Sequence, residues 1–281
     1  MVDLLKLFGW DDIVNVTDIG ASAIAEEPIY KGLVDCGCGH LSAFDGDSRH
    51  YDRMHEVFKG SVRIFDQFVF DGSEQTLYMA SPESGMTSLL KPDSSNLNFF
   101  NFFGRFADAI AEEKIQTVSL DDIEELEQID FLKMDVQGAE LTILKNGAKK
   151  LESCVAMQLE VSWITLYEGQ PSFGDIDVWM REHGFMPHSF LATKHWGIAP
   201  TVFNNNVKKG GNQLLESDIV YVKDPTNLEL FTDAQLKKLA LITNNCLASH
   251  DLTIHLLLEL ARRGVVSANP HELFLKNFNQ L

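Results

Sequence analysis

An open, mostly parallel α/β sheet with helices on both faces is the fold class this sequence predicts, and three observations predict it. Short β-branched or apolar runs alternate with segments of helical spacing as far as Pro225. The first such run, Ile13-Val-Asn-Val-Thr17, closes in Asp18-Ile-Gly-Ala-Ser22, an acid followed by residues small enough to let a ligand touch backbone. A later run over residues 129–134 ends in the same style at Asp135-Val-Gln-Gly138, and helical spacing resumes at once from Ala139.

The glycine-rich stretch Val34-Asp-Cys-Gly-Cys-Gly39 competes for the place of the first loop, and spacing removes it. A strand over residues 33–36 would leave four residues before the next apolar run, whereas a parallel crossover needs roughly a dozen or more. Taking residues 13–17 as the first strand leaves residues 23–40 as crossover, with Pro28 in the first turn of a helix and Gly37 or Gly39 at its end. Residues 41–44 then form the second strand, closing in Asp45-Gly46-Asp47. An acid there is placed to hydrogen-bond the ribose of a nucleotide-type cofactor, and Gly46 permits a close turn.

The remaining elements follow in order. Residues 48–58 have helical spacing through Tyr51, Met54 and Phe58, residues 62–69 read as a third strand, and residues 76–79 as an extended piece after the Asp71-Gly-Ser turn. Residues 81–93 are a loop, followed by aromatic residues clustered around Gly104. Residues 115–120 predict a strand and 121–128 a short acidic helix. A strand over 155–161, a loop over 162–171, a helix over 174–183 and extended runs at 185–191 and 218–222 complete the sheet. Beyond Pro225 three leucine-faced helices are expected, at 232–245, 250–263 and 270–278. The chain therefore divides into residues 1–225, a cofactor-binding domain, and 226–281, a C-terminal helical segment.

Composition narrows the function. The 23 basic against 41 acidic residues, a formal charge of −18, argue against nucleic acid and anionic membranes as partners, since both need a basic footprint. No run of about 18 apolar residues predicts a membrane span, and the first ten residues lack the charge and length of a signal peptide. Cys36, Cys38, Cys154 and Cys246 are too few and scattered for a disulfide framework, so the cytoplasm is the expected compartment, with Cys36 and Cys38 as small buried thiols at a helix end. A metal clip at Cys36-Gly-Cys-Gly-His40 lacks the usual ligand spacing.

One family carries these features together. Ile129-Asp-Phe-Leu-Lys-Met-Asp-Val-Gln-Gly-Ala-Glu140, Leu144-Lys-Asn-Gly-Ala148, Tyr167-Glu-Gly-Gln-Pro171 and Gly85-Met-Thr-Ser-Leu-Leu90 resemble the FkbM family of class I S-adenosylmethionine-dependent methyltransferases. Asp18-Ile-Gly-Ala-Ser22 and Phe44-Asp-Gly-Asp47 resemble its cofactor loops, and the likeness runs over about residues 11 to 225. Two departures stand out: the first loop lacks a second glycine, and the second strand ends Phe-Asp45 where the family commonly shows Phe-Glu-Pro. Ala21 and Ser22 are still small, and Asp reaches ribose hydroxyls as Glu does. The resemblance implies a Rossmann-like sheet and methyl transfer from S-adenosylmethionine to an acceptor oxygen, commonly a hydroxyl of a sugar or polyketide.

That reaction needs collinear alignment, with the attacking atom about 3 Å from the methyl, and a base for the hydroxyl proton. The cofactor side is expected to comprise Asp18, Gly20, Ala21, Ser22, Asp45, Gly46, Phe68 and Asp135. Asp135 is also the first catalytic candidate, because it ends a central strand facing the crevice where such sheets bind ligands. Glu160, at the end of the next strand, and Glu168 beyond it hydrogen-bond an acceptor, or with Asp135 hold Mg²⁺, an arrangement that no metal-ligand motif demands. His188, or His195, is an alternative base. Ser88, Tyr167 and Glu168 form the substrate side, with Trp163 as an alternative stacking wall. A nicotinamide-dependent oxidoreductase would show G-x-G-x-x-G after the first strand, which is missing. A binding protein that kept the fold and lost the chemistry is the third reading.

Overall fold

The computed structural model describes residues 4–21, 27–46, 51–58, 61–81, 84–106, 110–126, 128–207, 209, 211–267, 269–272 and 275. Its frame is a seven-stranded sheet in the order β3-β2-β1-β7-β8-β10-β9. The strands are β1 (Val14–Ile19), β2 (Gly39–Phe44), β3 (Val62–Phe65), β7 (Phe131–Met134), β8 (Ala156–Ser162), β9 (Phe185–His195) and β10 (Leu214–Lys223). All neighbouring pairs are parallel except those of β10, which runs against both β8 and β9. Chain order moves outward from β1 in one direction to β3 and then crosses back to β7 on its other side. A crevice opens where the order reverses, outside the carboxyl ends of β1 and β7.

Strand alternation divides the core in two. Val14, Val16, Leu41, Phe131 and Val220 face one way, onto helices α1 (Leu4–Phe8), α2 (Lys31–Asp35), α3 (Tyr51–Val57), α7 (Asp233–Asn245) and α8 (His250–Arg262). Ile19, Leu132, Met134, Met157 and Leu159 face the other way, onto α5 (Glu140–Lys145) and α6 (Phe173–Glu182). Central strands buried on both faces read as near-continuous apolar runs, and Phe131–Met134 is one, interrupted by Lys133. The leucine faces of α7 and α8 are buried in the first of these cores, with Leu236, Leu239, Leu256 and Leu260 fully enclosed. Capping boxes at Ser172/Asp175 and Thr232/Gln235 start α6 and α7. The expected helix over 270–278 lies largely outside the described residues. Among the described residues no helix is long and apolar enough to cross a membrane.

Between β3 and β7 the chain makes an excursion: β4 (Phe68–Phe70), β5 (Glu74–Met79), a one-turn helix α4 (Ser94–Leu97) and β6 (Ala111–Ser119). The expected single strand over 62–69 is therefore two. It breaks at Asp66-Gln67, two polar residues that interrupt the alternation, and β4 then pairs with β6 in a separate three-stranded sheet. The acidic helix expected over 121–128 is one 3₁₀ turn, Leu120–Asp122, in place of an α-helix. Asp121 instead accepts the backbone N–H groups of Lys149 and Lys150, which ties this turn to the turns that follow α5.

Helix α2 is shorter than the crossover pattern suggests and begins three residues after Pro28, at Lys31. Gly37 does end it, with φ +75°. The reading of Cys36 and Cys38 as buried thiols is overturned: they form a disulfide, and Cys36 is exposed. The turn at Gly37 brings their Cα atoms to 5.6 Å, within bridging distance.

Candidate functional site

The two acid-and-glycine loops meet backbone to backbone. Gly20 has φ +82°, and a Cβ there would lie 2.0 Å from the carbonyl oxygen of Asp135. The N–H of Asp135 donates to the carbonyl of Ile19, and the N–H groups of Gly20 and Ala21 both donate to that of Phe44. The ends of β1, β2 and β7 are thus locked in one rim. Ser22, expected on this rim, lies outside the described residues.

Asp18 and Lys133 are cross-strand partners in the β1–β7 register, on the same face of the sheet. The Lys133 ammonium lies 3.2 Å from Oδ1 of Asp18, whose Oδ2 accepts the hydroxyl of Tyr30. Burial raises the Asp18 pKa, against the lowering influence of Lys133. Burial pulls Lys133 down, but Asp18 and Asp135 more than reverse it.

Asp45, Gly46 and Phe68 also come together. A Cβ on Gly46 would fall 2.0 Å from the Phe68 ring, so the ring lies directly over that backbone. The Asp45 N–H donates to Phe65, and its carbonyl accepts the Tyr51 hydroxyl. An acid at the end of β2, an aromatic wall beside it and a small-residue loop after β1 suit a nucleoside with a polar tail. These residues fit the expected cofactor.

Beyond Asp135 lies an acidic cluster on one face of the sheet. The side-chain amide of Gln137 donates to Asp135 Oδ1 and Glu160 Oε2, both at 2.8 Å, and its oxygen accepts the Tyr167 hydroxyl at 2.9 Å. Gln137 itself has φ +55°, a left-handed conformation costing about 1–3 kcal/mol in a non-glycine residue. Lys194 closes the cluster, 2.9 Å from Glu160 and 3.2 Å from Glu216. Burial first, then the charges of Asp135 and Glu216, push Glu160 well above the usual carboxylate range. Burial pulls Lys194 down, and Glu160 and Glu216 outweigh it, so this ammonium stays charged. A carboxylate of raised pKa beside a fixed ammonium is equipped to accept a proton.

Other candidates are placed differently. Glu168 turns outward to an exposed ion pair with Lys91 at 2.7 Å. The three-carboxylate arrangement of Asp135, Glu160 and Glu168 does not form, and the described residues hold no group of three or more His, Cys, Asp or Glu arranged for a metal. His188 lies half-buried on the edge strand β9; burial lowers its pKa, and the charge it feels is Asp251 at the start of α8. Among the described residues no hydrogen bond or ion pair joins it to the cluster, and His195 is exposed at the end of β9. Ser88 is buried, and its hydroxyl donates to the Gln137 carbonyl and accepts from the Leu90 N–H, pinning one loop to another. Tyr167 is also buried and steers Gln137 through its hydroxyl, so its ring is no exposed stacking wall.

Lys133, Gln137, Lys194 and Glu216 were not anticipated. Strand parity flags Lys133, a charge inside Phe-Leu-Lys-Met, and Glu160, Glu216 and Asp218 share its face by the same count. Nothing local marks Lys194, which reaches Glu160 across β10.

A family model, the methyltransferase FkbM domain, matches residues 16–187, which contain both loops and the acids Asp135 and Glu160. The chain belongs to the FkbM methyltransferase family. As a member of that family it is an S-adenosylmethionine-dependent methyltransferase, and S-adenosylmethionine is its cofactor. The nicotinamide reading falls with that membership. No curated protein matches the chain. Among solved structures it is similar to a TehB-like SAM-dependent methyltransferase of Corynebacterium glutamicum, 10% identical over 79% of this chain and 87% of that one, with a TM-score of 0.34. M. capricolum TrmK with S-adenosyl-homocysteine is 12% identical over 95% and 98%, with a TM-score of 0.37. Magnesium protoporphyrin IX methyltransferase (ChlM) of Synechocystis PCC 6803 with bound SAM is 10% identical over 79% and 74%, with a TM-score of 0.36.

Proposed function

We propose that this FkbM methyltransferase is O-directed and methylates a hydroxyl of a sugar, a glycan or another small polyhydroxylated acceptor. The observation that carries the reading is Glu160, a buried carboxylate of raised pKa held by Gln137 and Lys194 beside Asp135. The cofactor, when bound, supplies an electrophilic methyl group. Asp45 holds ribose hydroxyls, Phe68 walls the nucleoside, and the backbone of Gly20 and Ala21 faces the methionine end, with Asp18 and Lys133 beneath it. Asp135 stands between the two halves, its carbonyl against Gly20 and its carboxylate on Gln137. Glu160 takes the hydroxyl proton, and Lys194 stabilises its charged form. The clustered acids repel anionic acceptors and suit neutral polyols.

The same reading treats residues 1–225 as the methyl-transfer domain and 226–281 as a helical segment that covers one face of its sheet. It also sets the protein in the cytoplasm, supported by its use of a metabolite of the cell interior.

Incubation with labelled S-adenosylmethionine and a panel of neutral glycans, hydroxylated small molecules, amines and RNA tests the proposal. Methyl ethers on a hydroxylated acceptor are expected; methylation of nitrogen or of RNA would overturn it. S-adenosylhomocysteine binding with no transfer to any pool would favour a binding protein on this fold. Asp45→Ala is expected to weaken S-adenosylhomocysteine binding roughly 10- to 100-fold, the value of a hydrogen bond to a charged group. Glu160→Gln is expected to spare that binding within about twofold while cutting turnover roughly 10²–10⁴-fold. Calorimetry and initial rates separate the two, and the reverse pattern would exchange the roles.

A further inference from the structure

Two hydrogen-bonded loops display a patch of apolar side chains next to the acidic cluster. Asn101 N–H donates to Gly197, Ala199 N–H donates to Phe99, and the Asn101 amide donates to the carbonyls of Ile198 and Thr201. Outward from this joint stand Phe99 (40% exposed), Phe102 (58%), Ile198 (41%), Val202 (40%) and Phe203 (47%). Inward from it Phe100 and Phe103 are buried with Met86, Leu97, Leu166 and Tyr167.

Phe102 has φ +57°. A bulky aromatic residue in the left-handed region is strained, and strain of this kind persists where a surface is put to use. The strained residue is also the most exposed of the five.

Side chains packed beneath the patch tie it to the site. Trp196 packs on Phe103 at 4.9 Å and its indole N–H donates to the Asn101 carbonyl, and two residues before it in the chain Lys194 grips Glu160. On the other side Tyr167, in the same apolar cluster, donates to Gln137, which binds Asp135 and Glu160. We infer that the methyl acceptor is an amphiphile: a hydroxylated head enters the acidic cluster, and an acyl or other hydrocarbon tail lies over Phe99, Phe102, Ile198, Val202 and Phe203. The inference rests on the reading that the acidic cluster holds the acceptor. A monomeric tail suits the patch better than an anionic bilayer does, because the chain as a whole carries a net charge of −18. A tail would cover side chains that otherwise face water.

The probes are glucose, n-octyl and n-dodecyl β-D-glucoside below their micellar concentrations, titrated into the protein saturated with S-adenosylhomocysteine. Dodecyl glucoside is expected to bind at least about tenfold tighter than octyl glucoside, and glucose weakest, because affinity grows with each buried methylene. Phe102→Ser combined with Phe203→Ser should erase the chain-length dependence and leave S-adenosylhomocysteine affinity unchanged; Val202→Ser should halve the dependence or more. Equal affinity for the three probes, or a chain-length dependence that both variants retain, would overturn the inference. So would a concentration-dependent dimer dissolved by Phe102→Ser and Phe203→Ser, which would make the patch a contact between copies, or adsorption to phosphatidylcholine vesicles lost in that variant. If the tails bind as expected and methyl ethers never form, the tail site stands and the hydroxyl-transfer reading falls.

Discussion

Gly20→Ala is expected to abolish cofactor binding and to destabilise the fold by about 2–5 kcal/mol, combining left-handed strain with overpacking. The added Cβ would meet a backbone oxygen, that of Asp135 just past the end of β7, at 2.0 Å, and a backbone carbonyl has no rotamer to escape into. Relief requires β1 and β7 to part at their carboxyl ends. The separation breaks the Asp135 N–H to Ile19 bond and opens the crevice between the cofactor loop and the acidic cluster. Urea unfolding measures the first effect and titration with S-adenosylhomocysteine the second. Retention of cofactor affinity within tenfold would show that the two loops do not share a rim. Gly46→Ala is the control, since the obstacle there is the ring of Phe68, a side chain that can swing away. Its cost should appear mainly in cofactor affinity, about tenfold, with stability less affected.

What could be read in the sequence is what depends on chain geometry alone. Crossover length chose Asp18-Ile-Gly-Ala-Ser22 over the glycine-rich copy, and the structure has β1 ending at Ile19 while Gly37 merely ends α2. Phe68 reaches Gly46 from the start of β4 in the second sheet. That Asp18, Gly20, Asp45, Gly46 and Asp135 come together, by contrast, follows from the sequence, because strand ends on one side of a parallel sheet converge whatever the side chains between them. Glu160 was legible for the same reason. Lys194 was not, because its distance from Glu160 along the chain is bridged by a hairpin of β9 and β10 whose register shifts at several points. His188 illustrates the converse: a titratable ring in the right segment, placed at a register shift between β9 and β10 where the charge it feels is that of Asp251. Glu168 lies one residue after the buried Tyr167, and that single step points it into solvent toward Lys91.

Stability should fall as pH rises toward neutrality, and Glu140 should account for a large share of the fall. Glu140 is the first residue of α5 and fully enclosed; its carboxyl accepts the N–H groups of Val136 and Gly138. Burial raises its pKa to about 7, despite those hydrogen bonds, and the Asp135 charge adds to the rise. An acid whose folded pKa exceeds its unfolded value binds its proton more tightly when folded. Its contribution is full below the unfolded value of 4.5 and disappears as pH climbs through about 7. The difference corresponds to about 3 kcal/mol. Asp18, Glu160 and Glu216 are raised by burial as well and push the profile the same way. In Glu140→Gln the remaining oxygen still accepts both backbone amides, and no proton is lost. The variant should match the parent near pH 5 and exceed it by about 2–3 kcal/mol at pH 8, as measured by denaturant unfolding across that range. Parallel profiles for the two proteins would show that Glu140 is not the group responsible. Because the Asp135 charge opposes ionisation of Glu140 and Asp135 lies on the loop whose amides Glu140 binds, Glu140→Gln should narrow the pH dependence of cofactor affinity along with that of stability.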